Sequence, residues 1–296
     1  MTIQAPSTAR TVDRVEAKIV LGPNDQTDDR AIIIAPTDPA RTDPFLVLGE
    51  DWFSSPGFDW HPHRGMETVT TILDGVLEHG DNAGHAGVLQ AGDVQWMTAG
   101  RGIIHRELAF RDEHAHTLQL WLNLPARSKM VDTRYQDLLA AKRPVSTVRP
   151  GVTVDVISGS AGGVEGPALN HWPITAAIVT LEPGTSVDHH LPASHRAFAY
   201  VLAGEAAIAG RRALAGEIAW SDPLPGAEGD STLRVDTRDR ERPTQLMIYS
   251  GRPIMEPIAM GGPFVMNSRV EITKAFQDFH GGKFGDVPRQ ARLKYQ

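Results

Sequence analysis

The chain has 296 residues, no cysteine and a formal net charge of −7. The missing cysteines exclude disulfides, thiolate-held metals and clusters, and cysteine nucleophiles. An acidic chain without a basic run is a poor direct binder of nucleic acid. Hydrophobic residues at 41% and charged residues at 22% match an ordinary globular protein long enough for two domains. No apolar run is long enough to span a membrane or form a signal core, which fits a cytoplasmic address.

Residues 1 to about 13 are small and polar and read as a flexible arm. Val15–Leu21, Arg30–Ile34 and Pro44–Gly49 read as strands, with a turn at Gly22-Pro23-Asn24-Asp25. Trp52, Phe53, Phe58 and Trp60 then fall in a loop, read as packed against the body of the domain. Thr68–Leu73 is rich in β-branched residues. Asp74-Gly75 is a dipeptide favoured in two-residue hairpins, so Val76–His79 reads as the returning strand. His79 and His85 read as surface histidines. Ala91-Gly92-Asp93 is a turn before the strand Val94–Met97. From His116 to Leu124, leucines 118, 120, 122 and 124 share one face of a strand, and Gln119, Trp121 and Asn123 share the other. Alternation does not say which of these faces meets a pocket.

Pro125 ends that strand. Tyr135, Leu138 and Leu139 then fall at helical spacing, which predicts a short linker helix over 132–142. Thr147–Ile157 opens a second β-rich half that continues in Ile174–Leu181 and Ala197–Leu202. This half echoes the first, but His189 and His190 are adjacent, so a strand sends them to opposite faces. No histidine follows the Gly216–Trp220 stretch until His280. The second half is therefore expected to be free of metal, with His171 and His195 as ordinary polar residues. Near the end, Ser268-Arg269-Val270-Glu271 has the capping-box spacing, which predicts a helix at about 268–280 with Ile272, Ala275, Phe276 and Phe279 on one face. Residues 283–296 are basic and polar and read as a loosely held end.

The candidate chemistry lies in two pairs of metal-capable side chains, His61 with His63 and His105 with Glu107. Each pair has the i, i+2 spacing that aims both members to one face of a strand. If the two strands are neighbours, three imidazoles and one carboxylate converge. That set suits a divalent first-row metal and does not choose among iron, copper, nickel, manganese and zinc. Glu67 is a further carboxylate in the same stretch.

His61-Pro62-His63 with Glu67, and Gly92 with Gly100-Arg101-Gly102 and His105, resemble the two cupin motifs. The segments HPHRGMETVT, GDVQWMTAGRGIIHRE, LQLWLNLP and GPFVMN together resemble the pirin family, a two-domain cupin group. The resemblance runs from about Asp43 to about Phe279. It implies an all-β fold of two tandem antiparallel cupin (jelly-roll-like) barrels, 1–140 and 141–296, with the short linker helix and the C-terminal helix. The family pattern places one metal per chain, iron(II) first, on His61, His63, His105 and Glu107, and leaves Glu67 a supporting role. It implies a quercetin 2,3-dioxygenase type of activity, with a flavonol-like substrate, O2 and Glu107 as general base. The alternative it implies is a non-enzymatic, iron-dependent regulator that binds a protein partner such as a transcription factor or metabolic enzyme. The family also suggests a monomer.

Overall fold

The computed structural model describes residues 8–54 and 57–287. They divide into two compact units. One combines Ile19–Ala141 with the chain from Ile254 onward, and the other combines the chain up to Lys18 with Lys142–Pro253. The C-terminal helix therefore belongs with the histidine-bearing unit, although the sequence reading assigned it to the second half. Its apolar face accounts for this: Phe276 and Phe279 pack with Ile104, Phe264 and Phe284. Ser268 caps the helix Arg269–His280 by accepting from the Glu271 amide, while Glu271 Oε2 accepts from the Asn267 amide at 3.0 Å. The helix expected at 268–280 thus stands, with Ser268 as its N-cap and the Glu271 carboxylate reaching one residue further back than a capping box requires.

The histidine-bearing unit is built on a ten-stranded sheet. Its main path runs Arg134–Leu138, Val94–Thr98, Met66–Asp81, Ala115–Asn123, Phe45–Phe53, Asp29–Ile34 and Ile19–Val20. Among the described residues this path does not close on itself into a barrel, while its pairing is antiparallel and the unit is all-β, as expected. The long strand Met66–Asp81 explains the architecture. Its first half pairs with Ala115–Asn123 and Val94–Thr98, and its second half pairs with Ile103–Ala109 and Ala86–Gln90. The expected hairpin at Asp74-Gly75 is absent because the strand continues through it, with Gly75 opposite Ala115, Asp74 opposite His116 and the register shift just before them at Leu73. Gly75 takes φ of 77°, and a Cβ at that position would overlap the His114 carbonyl. Only glycine tolerates both conditions easily.

The predicted linker helix is also overturned. Arg134–Leu138 is a strand paired antiparallel with Val94–Thr98, followed by a 3-10 turn at Ala140–Lys142. Three apolar residues at helical spacing are a weak signal, and the free edge of Val94–Thr98 supplies backbone partners that override it. Trp52 and Phe53 end the strand Phe45–Phe53, while Phe58 and Trp60 lie in the strand Phe58–His63, so none of the four is a loop residue.

In the other unit, a seven-stranded and a five-stranded sheet share one apolar core. Val154, Val179, Leu246 and Ile248 come from the first sheet, and Val187, Leu191, Leu233 and Val235 from the second. The supposed N-terminal arm is held here from Thr8 onward. Thr8–Ala9 pairs in parallel with Ser231 and Thr232. The buried Arg10 guanidinium donates to Ser221 Oγ, Ser231 Oγ and the carbonyls of His195 and Asp222. Residues 1–7 and 288–296, the remainder of the expected arm and tail, lie outside the described residues.

Candidate metal centre

The strands Phe58–His63 and Ile103–Ala109 are antiparallel neighbours, with His61 opposite His105 and His63 opposite Ile103. Period-2 alternation then brings three imidazoles to one spot. Ring centroids are 4.3 Å apart for His61 and His105, 5.0 Å for His61 and His63, and 5.1 Å for His63 and His105. One nitrogen from each ring lies within 4.8 Å of the others. Among the described residues this is the one such group of potential metal donors.

The hydrogen bonds set which nitrogens are bare. His61 Nδ1 lies 2.7 Å from the Asp59 carbonyl, and His63 Nδ1 lies 3.3 Å from the Pro263 carbonyl. A carbonyl oxygen only accepts, so each Nδ1 carries the proton and each Nε2 presents a lone pair. His63 Nε2 and both ring nitrogens of His105 are buried without a hydrogen-bond partner. Burial, and next the charge of His61, push the His63 and His105 imidazoles well below their ordinary range. Neutral imidazoles with unused lone pairs, oriented by backbone carbonyls, are what a divalent metal takes as ligands. The histidine triad can hold such an ion.

Glu107 is outside this 4.8 Å group. A register shift between His105 and Glu107 places Glu107 opposite Phe58. Its Oε1 accepts from Thr70 Oγ1 at 3.0 Å and its Oε2 from Gln119 Nε2 at 2.7 Å. Glu67 is also outside the group. It is buried across from Thr98, whose hydroxyl donates to Glu67 Oε1 at 2.7 Å, and burial raises its pKa.

Glu107, His61 and His63 line a cavity of about 390 Å³. Its apolar wall includes Ile32, Val47, Phe53, Phe58, Leu77 and Trp121, and its polar wall adds Arg30, Asp51, Thr117 and Gln119. Phe53 and Phe58 meet edge to face at 5.5 Å. The Asp51 carboxyl is pushed up to about 7, chiefly by burial and then by Glu107. The sequence reading missed Arg30 and Asp51. Arg30 lies opposite Asp51, and Asp51 opposite Thr117, so the signal was a three-strand register that no local pattern carries.

His79 is not the surface residue it was expected to be. It is buried, stacked on Tyr135 with centroids 5.5 Å apart, and its Nε2 faces Asp137 Oδ2 at 3.3 Å. The misread strand Arg134–Leu138 supplies both partners, which is why the two errors occur together. His85 is exposed, as expected. In the other unit, His189 is buried and His190 exposed, the opposite facing that adjacency predicts.

Comparison with known proteins gives concordant results. The pirin family model matches residues 24–122, and the pirin C-terminal cupin domain model matches residues 176–285. Pirin-1 of Arabidopsis thaliana is 39% identical over 93% of this chain and 96% of its own length. Human pirin is 40% identical over 82% of this chain and 83% of its own. The crystal structure of a quercetin 2,3-dioxygenase from Acinetobacter baumannii superposes with a TM-score of 0.84 at 29% identity, covering 95% of this chain and all of that one.

Proposed function

The chain belongs to the pirin family of tandem cupins, and on that premise we propose that it is a metal-dependent dioxygenase of the quercetin 2,3-dioxygenase type. Its proposed substrate is a flavonol, whose central ring is opened by O2 with release of carbon monoxide. The observation that carries this reading is the bare nitrogens of His61, His63 and His105 beside a cavity of about 390 Å³ with an apolar wall. The similarity to a solved quercetin 2,3-dioxygenase supports the same class.

His61, His63 and His105 would hold one divalent metal per chain, iron(II) first, with nickel, copper, manganese and zinc chemically suited; Glu107 is proposed to complete the set. When bound, the ion supplies a Lewis acid and a redox centre with open positions for substrate oxygen and O2. The protein's own residues do the rest. Glu107 accepts the proton of the flavonol hydroxyl beside the ring ketone, which leaves that oxygen anionic and electron-rich. Thr70 and Gln119 keep the accepting carboxylate in place. Phe53, Phe58, Leu77 and Val47 offer flat apolar surface to an aromatic ligand and displace water from around the reacting ring.

The test is anaerobic reconstitution with each metal in turn, followed by flavonol absorbance as oxygen is admitted. Loss of the flavonol band with stoichiometric O2 uptake is the expected result. No loss with iron, nickel, copper or manganese would refute the oxygenase reading and leave the partner-binding role implied by the family resemblance.

A further inference from the structure

Alternation along Ala115–Asn123 separates Gln119 and Trp121 from the leucines, and it is the Gln119 face that meets the cavity. Gln119 lies directly across from Thr70. Its amide sits in a connected set of hydrogen bonds. Trp121 Nε1 donates to Gln119 Oε1 at 3.1 Å. Gln119 Nε2 donates to Glu107 Oε2 at 2.7 Å and to Thr70 Oγ1 at 3.1 Å. Thr70 Oγ1 donates in turn to Glu107 Oε1 at 3.0 Å.

The order of donors is forced. An indole N–H only donates, so the Gln119 atom that faces it must be the amide oxygen. The amide nitrogen then has to point to Glu107 and Thr70. Thr70 accepts from that nitrogen, so its own proton is free for the other carboxylate oxygen. Both oxygens of Glu107 are thus gripped, and turning the carboxylate breaks two hydrogen bonds at once. Trp121 is itself seated edge-on against His63, with centroids 5.2 Å apart and planes at 83°. One indole therefore touches a histidine of the triad and fixes the amide that holds the carboxylate.

We propose that Gln119, locked by Trp121, is a positioning residue for Glu107 and through it sets the metal affinity of the site. This rests on Glu107 completing the metal-holding set. Two open sites for acceptance remain on the carboxylate after the Thr70 and Gln119 bonds, enough for one coordination bond and one substrate proton. Loss of a group that orients a ligand in this way weakens metal binding by about 10–100-fold in other metalloproteins.

The experiment is a double-mutant cycle read with cobalt(II) on the full chain, stripped of metal and reloaded. Its readouts are the cobalt dissociation constant and the visible absorption of the bound ion, neither of which needs turnover. Gln119→Leu is expected to weaken cobalt binding about tenfold or more and to move the visible bands. Trp121→Phe keeps a ring against His63 but frees the amide to flip, and is expected to act in the same direction with a smaller loss. In a Glu107→Gln background both substitutions should change nothing further, because the group they act through is gone. Losses that multiply in the double variants would assign Gln119 a packing role and overturn the proposal. So would wild-type cobalt affinity and spectrum in Gln119→Leu. If Gln119→Leu does not fold, Trp121→Phe in the two backgrounds decides alone. Unchanged cobalt binding in Glu107→Gln would remove the premise and the proposal with it, whereas flavonol consumption by the wild type judges the oxygenase reading separately.

Discussion

Glu107→Gln separates metal holding from proton transfer, and the structure indicates how the variant will be accommodated. Trp121 pins the Gln119 amide, so its NH2 continues to face residue 107. The new glutamine must then turn its oxygen toward Gln119 and its NH2 toward Thr70. Thr70 already accepts from Gln119 at 3.1 Å and has a second lone pair for the new donor. Only the Thr70 proton loses its partner, at a cost of about 1 kcal/mol, the scale of one neutral hydrogen bond. The fold should therefore survive with a small drop in midpoint. Three bare imidazole nitrogens remain, so a metal should still bind, more weakly. The lost basicity should lower flavonol turnover by about a hundredfold or more. The assay is metal content by elemental analysis and flavonol absorbance under oxygen, on one preparation. Full metal content with near-normal turnover would refute the account and remove Glu107 from the chemistry.

The other expectations are independent of that variant. His105→Ala, which removes two buried unpartnered nitrogens, should lower metal content first, with activity falling in proportion; normal metal content would contradict it. Asp51 titrates near 7 in the folded protein against 3.8 in the unfolded chain, so the folded state holds an extra proton between those values. Stability of the metal-free protein should therefore fall as pH rises from about 4 to 7, and Asp51→Asn should relieve about 1–2 kcal/mol of that fall after solvent screening; identical pH profiles in urea melts would contradict this. Lys129 is buried and donates to the carbonyls of Gly65 and Val265 and to Asn123 Oδ1. Lys129→Met strands those three acceptors and should cost about 3 kcal/mol or more in denaturant unfolding; a loss under 1 kcal/mol would argue against it.

What the sequence made legible is what local spacing can carry. The two i, i+2 pairs aim their histidines to one face whatever the partner strand is, so His61, His63 and His105 could be singled out before their strands were known to be neighbours. The capping-box spacing at Ser268 is equally local. Long-range partners were not legible. The Asp74-Gly75 dipeptide looks like a hairpin until the continuous ladder of Met66–Asp81 is seen. Tyr135 and Leu138 look helical until the edge of Val94–Thr98 takes them as a strand. The Gln119–Trp121 face, the burial of His79 and the Arg30–Asp51–Thr117 row all depend on which strand lies alongside.

The most direct test of the central claim is metal content and flavonol turnover on the same sample, with wild type compared against a His61→Ala/His63→Ala/His105→Ala triple variant. The account predicts one metal ion per wild-type chain, flavonol loss coupled to O2 uptake, and neither in the triple variant. A triple variant that keeps its metal, or a fully loaded wild type that leaves every flavonol intact under oxygen, would contradict it.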